Sequence, residues 1–227
     1  MLAPATLTPA QSVLRAVELL AVFFLAPALL AWLIHTGVLN ARQVIFPAIW
    51  GLGLLTLFAL LLDPRFERRQ LWNFAGVRPA LPGMLARFAL AALALTLLLA
   101  WTRPDLMLRL PRERPGIWLM VMLGYPVVSV YAQEIAFRTF FFHRYATLIA
   151  RPIPLIAINA LAFGWAHVIM LNFYAVVFSI VGGALFARTY LSSRSTAAVC
   201  LEHALYGCFI FTIGWGWFFF GGAVGRR

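Results

Sequence analysis

Glu134 and Arg138 stand four residues apart in an apolar stretch, YAQEIAFRTFFFHRY at 131–145, in the order that lets a carboxylate and a cation pair along one helix face. Within a bilayer such a pair seldom stabilises more than an apolar replacement would, so its presence points to function. His167 in LAFGWAHVIM and His203 in VCLEHALYG add two imidazoles on later apolar segments. Inward-facing polar groups of a helix bundle converge on a shared cavity, where these three side chains can meet. A carboxylate with one imidazole can take the proton from a water while the second imidazole donates to a developing oxyanion, which is metal-free hydrolysis. The same three groups suit zinc with water in the open position, although no HExxH is present.

The other polar residues carry less chemistry. Glu202 precedes His203 and turns about 100° away from it on a helix, toward Tyr206 or an adjacent loop. Asn159 and Asn172 are placed to orient a histidine. Cys200 and Ser179 have no base at a recognisable spacing, so neither reads as a nucleophile. Arg15, Glu18 and Arg87 fall within a turn or two of an expected membrane boundary, where they can snorkel, and His143 and Arg144 are expected to meet headgroups.

The elements that must position these groups are membrane helices. Of 227 residues, 63 % are hydrophobic and 11 % charged, and mean hydropathy is +0.91. Soluble domains are about 45–50 % apolar, whereas a bilayer accommodates such a chain in spans of about 20 residues. Apolar runs at 12–36, 43–62, 82–102, 116–142, 153–171, 173–191 and 196–220 predict an all-α transmembrane bundle of seven helices, or eight if Pro27 or Pro126 splits a long run. The first run lacks the basic n-region of a signal peptide and reads as a retained span. The chain is expected to be one membrane domain over 1–227, with front spans and arginine-rich loops in 1–115 and a four-helix catalytic core in 116–210.

All 18 basic residues are arginine, against 7 acidic ones. They cluster in short loops such as PRFERRQ and RLPRERPG, which fits lipid headgroups and topology signals rather than nucleic acid. DPRFERRQLWNF has the aromatic and basic mixture of an interfacial helix. The shorter loops favour an N-terminus inside. Gly182 and Gly183 predict close helix contact in the sixth span. Cys200 and Cys208 are expected to be packing residues.

QEIAFR at 133–138, FGWAH at 163–167 and HALYG at 203–207 together resemble the CPBP intramembrane proteases, also called the CAAX protease, bacteriocin-processing or Abi family, whose pattern is EExxxR, FxxxH and HxxxN or HxxxD on successive helices. The resemblance covers about residues 116–210. It implies hydrolysis of a peptide bond of a membrane-associated protein or peptide by water activated by glutamate and histidine, with the last motif supplying an oxyanion contact. Arg138, Phe163, His167 and His203 match as they stand. The family's first glutamate falls on Gln133, its second on Glu134, and its final Asn or Asp on Gly207. An amide cannot act as a base, so Glu134 is the expected base, with Arg138 orienting it. The alternative is a catalytically silent adaptor or immunity-type protein of the same fold. Arginine without lysine suggests a bacterium with a GC-rich genome, hence the bacterial cytoplasmic membrane, with lipid and a bacteriocin precursor or sorting-tagged protein as partners.

Overall fold

In the computed structural model, which describes residues 7–221, the chain is an all-α polytopic bundle with no strand among those residues. Seven helices are long and apolar enough to cross a membrane: α1 (Pro9–His35), α2 (Ala41–Leu62), α3 (Phe74–Thr102), α4 (Pro115–Tyr145), α5 (Pro152–Met170), α6 (Phe173–Ser193) and α7 (Thr196–Ile213). Neither Pro27 nor Pro126 splits its helix. The chain instead widens into π-helical turns, Ala21–Leu25 ahead of Pro27 and Pro126–Val130 at the second proline, which accommodate the missing donor without a break.

Polar caps fix where several spans begin. Thr8 and Gln11 form a reciprocal capping box ahead of α1. Asn40 accepts from the Arg42 amide, Asn172 from Ala175 and Ser195 from Ala198, so each satisfies an otherwise orphaned N–H. α7 stops short of the apolar run that continues to 220, because Gly214 takes φ 134° and turns the chain. The stretch expected to be an interfacial helix is instead two 3₁₀ turns, Arg68–Trp72 and Phe74–Gly76. Phe66 and Leu71 tuck under the bundle against Leu60 and Ile135, which leaves no continuous amphipathic face.

α4 is central, packing against α2, α5, α6 and α7. Small residues let neighbours approach it and one another: Gly53 of α2 lies against Ala132, and Gly183 of α6 against Ala160 of α5. The expected role of Gly183 in close contact is met, while Gly182 faces Phe186 of its own helix. A Cβ on Gly164 would stand 2.1 Å from Ile180 Cγ1 and 2.9 Å from the Ile180 backbone nitrogen. Gly164→Ala is therefore expected to force α5 and α6 apart and destabilise the protein by about 1–3 kcal/mol. Gly51→Ala, which meets nothing within 4 Å, gains helix propensity instead. Melting of the two variants in detergent checks the contrast, and equal melting would show that α5 and α6 have slack at Gly164.

The charged residues expected to snorkel are engaged with one another. Arg144 makes two hydrogen bonds to Glu18, at 3.0 and 2.7 Å, and Tyr145 Oη donates to the same carboxylate at 2.9 Å. Arg15 donates to the Arg144 carbonyl and to Thr147. His143 Nε2 meets Asp63 at 3.0 Å. Arg65, hydrogen-bonded to Asp63, holds that carboxyl well below the usual carboxylate range, with burial opposing and His143 assisting. Together these pairs bind the end of α4 to α1 and α2, on a cleft of about 430 Å³ whose walls include Leu52, Leu60 and Phe140.

Candidate active site

Four helices bring the predicted residues together. α4 supplies Gln133, Glu134 and Arg138, α5 supplies Phe163 and His167, α6 supplies Phe186, and α7 supplies His203, Tyr206 and Gly207. His203 Nδ1 lies 2.7 Å from Glu134 Oε1, and His203 Nε2 lies 2.9 Å from Tyr125 Oη. A carboxylate only accepts, so the hydrogen-bond network assigns the proton of His203 to Nδ1 and makes the phenol the donor to Nε2. Glu134 Oε2 is 3.4 Å from Arg138 Nε, a charge contact without hydrogen-bond geometry, and both side chains are 0 % exposed. The spacing of four thus pairs as expected, but across the start of a third π-helical turn, Ile135–Phe140, rather than along a regular α-helix.

The Arg138 guanidinium sits between aromatic faces, 4.5 Å from the Phe163 centroid and 5.5 Å from that of Phe186. Those faces stabilise a cation held away from water. None of its three nitrogens has a hydrogen-bond partner among the described residues. Phe163 is the hub of the site: its ring also packs edge-on to His167 at 4.9 Å and His203 at 5.5 Å.

His167 ends the α-helical part of α5, where the chain tightens into the 3₁₀ turn His167–Met170. Its Nδ1 donates to the Phe163 carbonyl at 2.8 Å, since that carbonyl can only accept. The neutral imidazole therefore offers the lone pair of Nε2 and has no N–H left for an oxyanion. Asn159 does not orient a histidine. Its amide donates to the Phe137 carbonyl at 2.5 Å, inside the π-helical turn, and so holds α4 in that shape from α5. Asn172 donates to Met170 and Phe218 carbonyls as well as capping α6.

Three supporting residues have more specific surroundings than their sequence context indicates. Gln133 is buried and turns its amide back to Ser129, at 3.2 Å to the carbonyl and 2.8 Å to Oγ. Glu202 lies on the side of Tyr206, close enough for its charge to act on the phenol, although the two are not hydrogen-bonded. It is 0 % exposed and pairs at 2.9 Å with Arg87 of α3, which also donates to Thr189 at 2.7 Å. Arg87 is thus no snorkelling residue but the counter-ion of a buried carboxylate beside His203. Tyr206 packs edge-on against Phe88 and Phe186, and its hydroxyl has no partner among the described residues.

Two residues of this constellation carry no motif, Arg87 and Tyr125. The glycine at 207 was the available signal for the second, since a small residue where a polar one is expected leaves space that a bulky neighbour must fill. Among the described residues no three His, Cys, Asp or Glu side chains are grouped to hold a metal ion. The facing atoms of Glu134 and His203 are on each other.

A family model described as Type II CAAX prenyl endopeptidase Rce1-like matches residues 115–209. No curated protein and no solved structure matches the chain. The matched range begins at the first residue of α4 and ends just past Gly207, so it encloses all three quoted motifs and leaves the front spans outside. Together with the seven apolar helices it marks an integral membrane protein. Over residues 115–209 the chain is thus similar to the Rce1-like type II CAAX prenyl endopeptidases, a likeness consistent with a CPBP family intramembrane protease.

Proposed function

We propose that the protein is an intramembrane endopeptidase of the glutamic type, with Glu134 as the base. The observation that carries this reading is the asymmetry of the Glu134 carboxylate: Oε1 accepts from His203, while Oε2 has no hydrogen-bond partner among the described residues and lies beside Arg138. Oε2 is the atom to which a water donates. The water gives its proton to Oε2 as its oxygen attacks the scissile carbonyl carbon, and the carbonyl electron pair moves onto oxygen. Glu134 then returns the proton to the leaving nitrogen as the C–N bond breaks. His203 fixes the rotamer of the carboxylate, Arg138 supplies its counter-charge, and the Nε2 lone pair of His167 accepts the second hydrogen of the water. Exposed apolar side chains such as Leu54, Phe58, Leu90 and Leu97 suit contact with lipid, and the arginine composition suits a bacterial cytoplasmic membrane.

The test is cleavage by purified protein in liposomes, against a farnesylated CAAX-type peptide and tagged membrane proteins of the same genome. Cleavage by wild type that is lost in both Glu134→Gln and His167→Ala supports the proposal; full activity in Glu134→Gln refutes the assignment of the base. Gln133, tied to Ser129 at the position of the family's first glutamate, favours the adaptor alternative. Binding of these substrates by wild type without cleavage would establish that alternative. Activity without stoichiometric zinc after mild chelation removes the metal-dependent one.

A further inference from the structure

Gly207 and Tyr125 compete for one space. A Cβ on Gly207 would lie 2.1 Å from Tyr125 Cε1 and 2.5 Å from both Cζ and Oη, so no side chain can stand at 207 while the phenol keeps its place. Standard bond lengths put the terminal atoms of an asparagine about 2.4 Å from its own Cβ. The phenol oxygen therefore sits at the reach that an asparagine at 207 would have. One turn beyond His203, α7 carries a glycine where the pattern it resembles has Asn or Asp, and α4 brings a hydroxyl to the same neighbourhood.

The hydrogen-bond donors of the site point the same way. The N–H of His203 is on Glu134, and that of His167 is on the Phe163 carbonyl. The Arg138 guanidinium lies against two rings and beside Glu134 Oε2, whose charge it balances. Tyr125 is partly exposed, and its O–H turns freely about one bond. From this geometry we infer that Tyr125 is the oxyanion donor of the site, in the place of the side chain absent at 207.

The inference deepens the endopeptidase proposal and rests on it. As the water oxygen bonds to the carbonyl carbon, the phenol hydrogen turns from His203 Nε2 to the new alkoxide. A neutral acceptor is exchanged for a charged one, roughly doubling the strength of the bond. When the C–N bond breaks and the carbonyl re-forms, the hydrogen swings back, so the phenol neither gains nor loses a proton.

Tyr125→Phe keeps the ring and removes only the hydroxyl. With the farnesylated peptide or a cleaved membrane protein as probe, kcat is expected to fall about 10²-fold with KM unchanged, the pattern of a contact made only in the transition state. A structural role would lower the melting temperature without this split. Tyr125→Ala and Gly207→Asn are each expected to lose activity, and the Tyr125→Ala/Gly207→Asn double variant to regain most of it. Wild-type kcat in Tyr125→Phe overturns the inference, as does a double variant no faster than Tyr125→Ala. Both of these outcomes leave the endopeptidase proposal standing if Glu134→Gln is inactive. If wild type cuts no probe, the endopeptidase proposal fails and the inference falls with it.

Discussion

Glu134→Gln should slow cleavage by about 10²–10⁴-fold, the span over which a positioned base contributes, and should also lower stability. The second effect arises because Arg138 is 0 % exposed and loses its counter-charge, and breaking a buried pair at one end costs about 3–5 kcal/mol. The two effects separate in the double variant Glu134→Gln/Arg138→Met. Replacing both charges by neutral groups of similar volume restores most of the stability, since apolar replacements of buried ion pairs are often neutral or better. It restores none of the activity. Thermal melts and single-turnover cleavage on the four proteins of this cycle measure both quantities. A double variant as unstable as Glu134→Gln would mean that the pair is not what Arg138 is held for.

The second large effect is expected far from any motif, at Arg87. Arg87→Leu leaves Glu202 buried, charged and without its partner in the wall of α7, one residue from His203. The loss should be roughly 3 kcal/mol, and activity should fall with it, because a carboxylate seeking another partner turns the helix that carries His203. Arg87→Leu/Glu202→Leu should recover most of the stability. Arg87→Lys should recover only part, since one compact ammonium would have to reach both Glu202 and Thr189 where the guanidinium uses its fork. Melting temperatures in detergent decide this, and an Arg87→Leu protein as stable as wild type would show the pair to be dispensable.

What could be read in the sequence was whatever is local along a helix. The seven spans follow from apolar run length. The pairing of Glu134 with Arg138 follows from a spacing of four, and the convergence of His203 on that pair from its inward-facing place on an apolar helix. The partners of charges near span ends could not be read, because snorkelling and pairing across helices leave the same pattern in one segment. Arg87 with Glu202 and Arg144 with Glu18 each join residues more than 100 positions apart. Tyr125 was hidden for a related reason: its role depends on the absence of a side chain on another helix. The π-helical turns also left no periodic trace, since α4 is buried on several sides and its hydrophobic pattern does not register one extra residue.

That extra residue sets what insertions and deletions the chain can tolerate. The turn over Ile135–Phe140 holds one residue more than an α-helical turn and is fixed by the Asn159 amide on the Phe137 carbonyl. Removing one residue there would give an unbroken α-helix, but it would rotate everything beyond by about 100° relative to Glu134. Arg144 and Tyr145 would then swing away from Glu18 while the Glu134 carboxylate stayed in place. Between Glu134 and Tyr145, related sequences are therefore expected to keep Arg138 and not to vary in length, and a gapless stretch in their alignment would be the evolutionary signature of this turn.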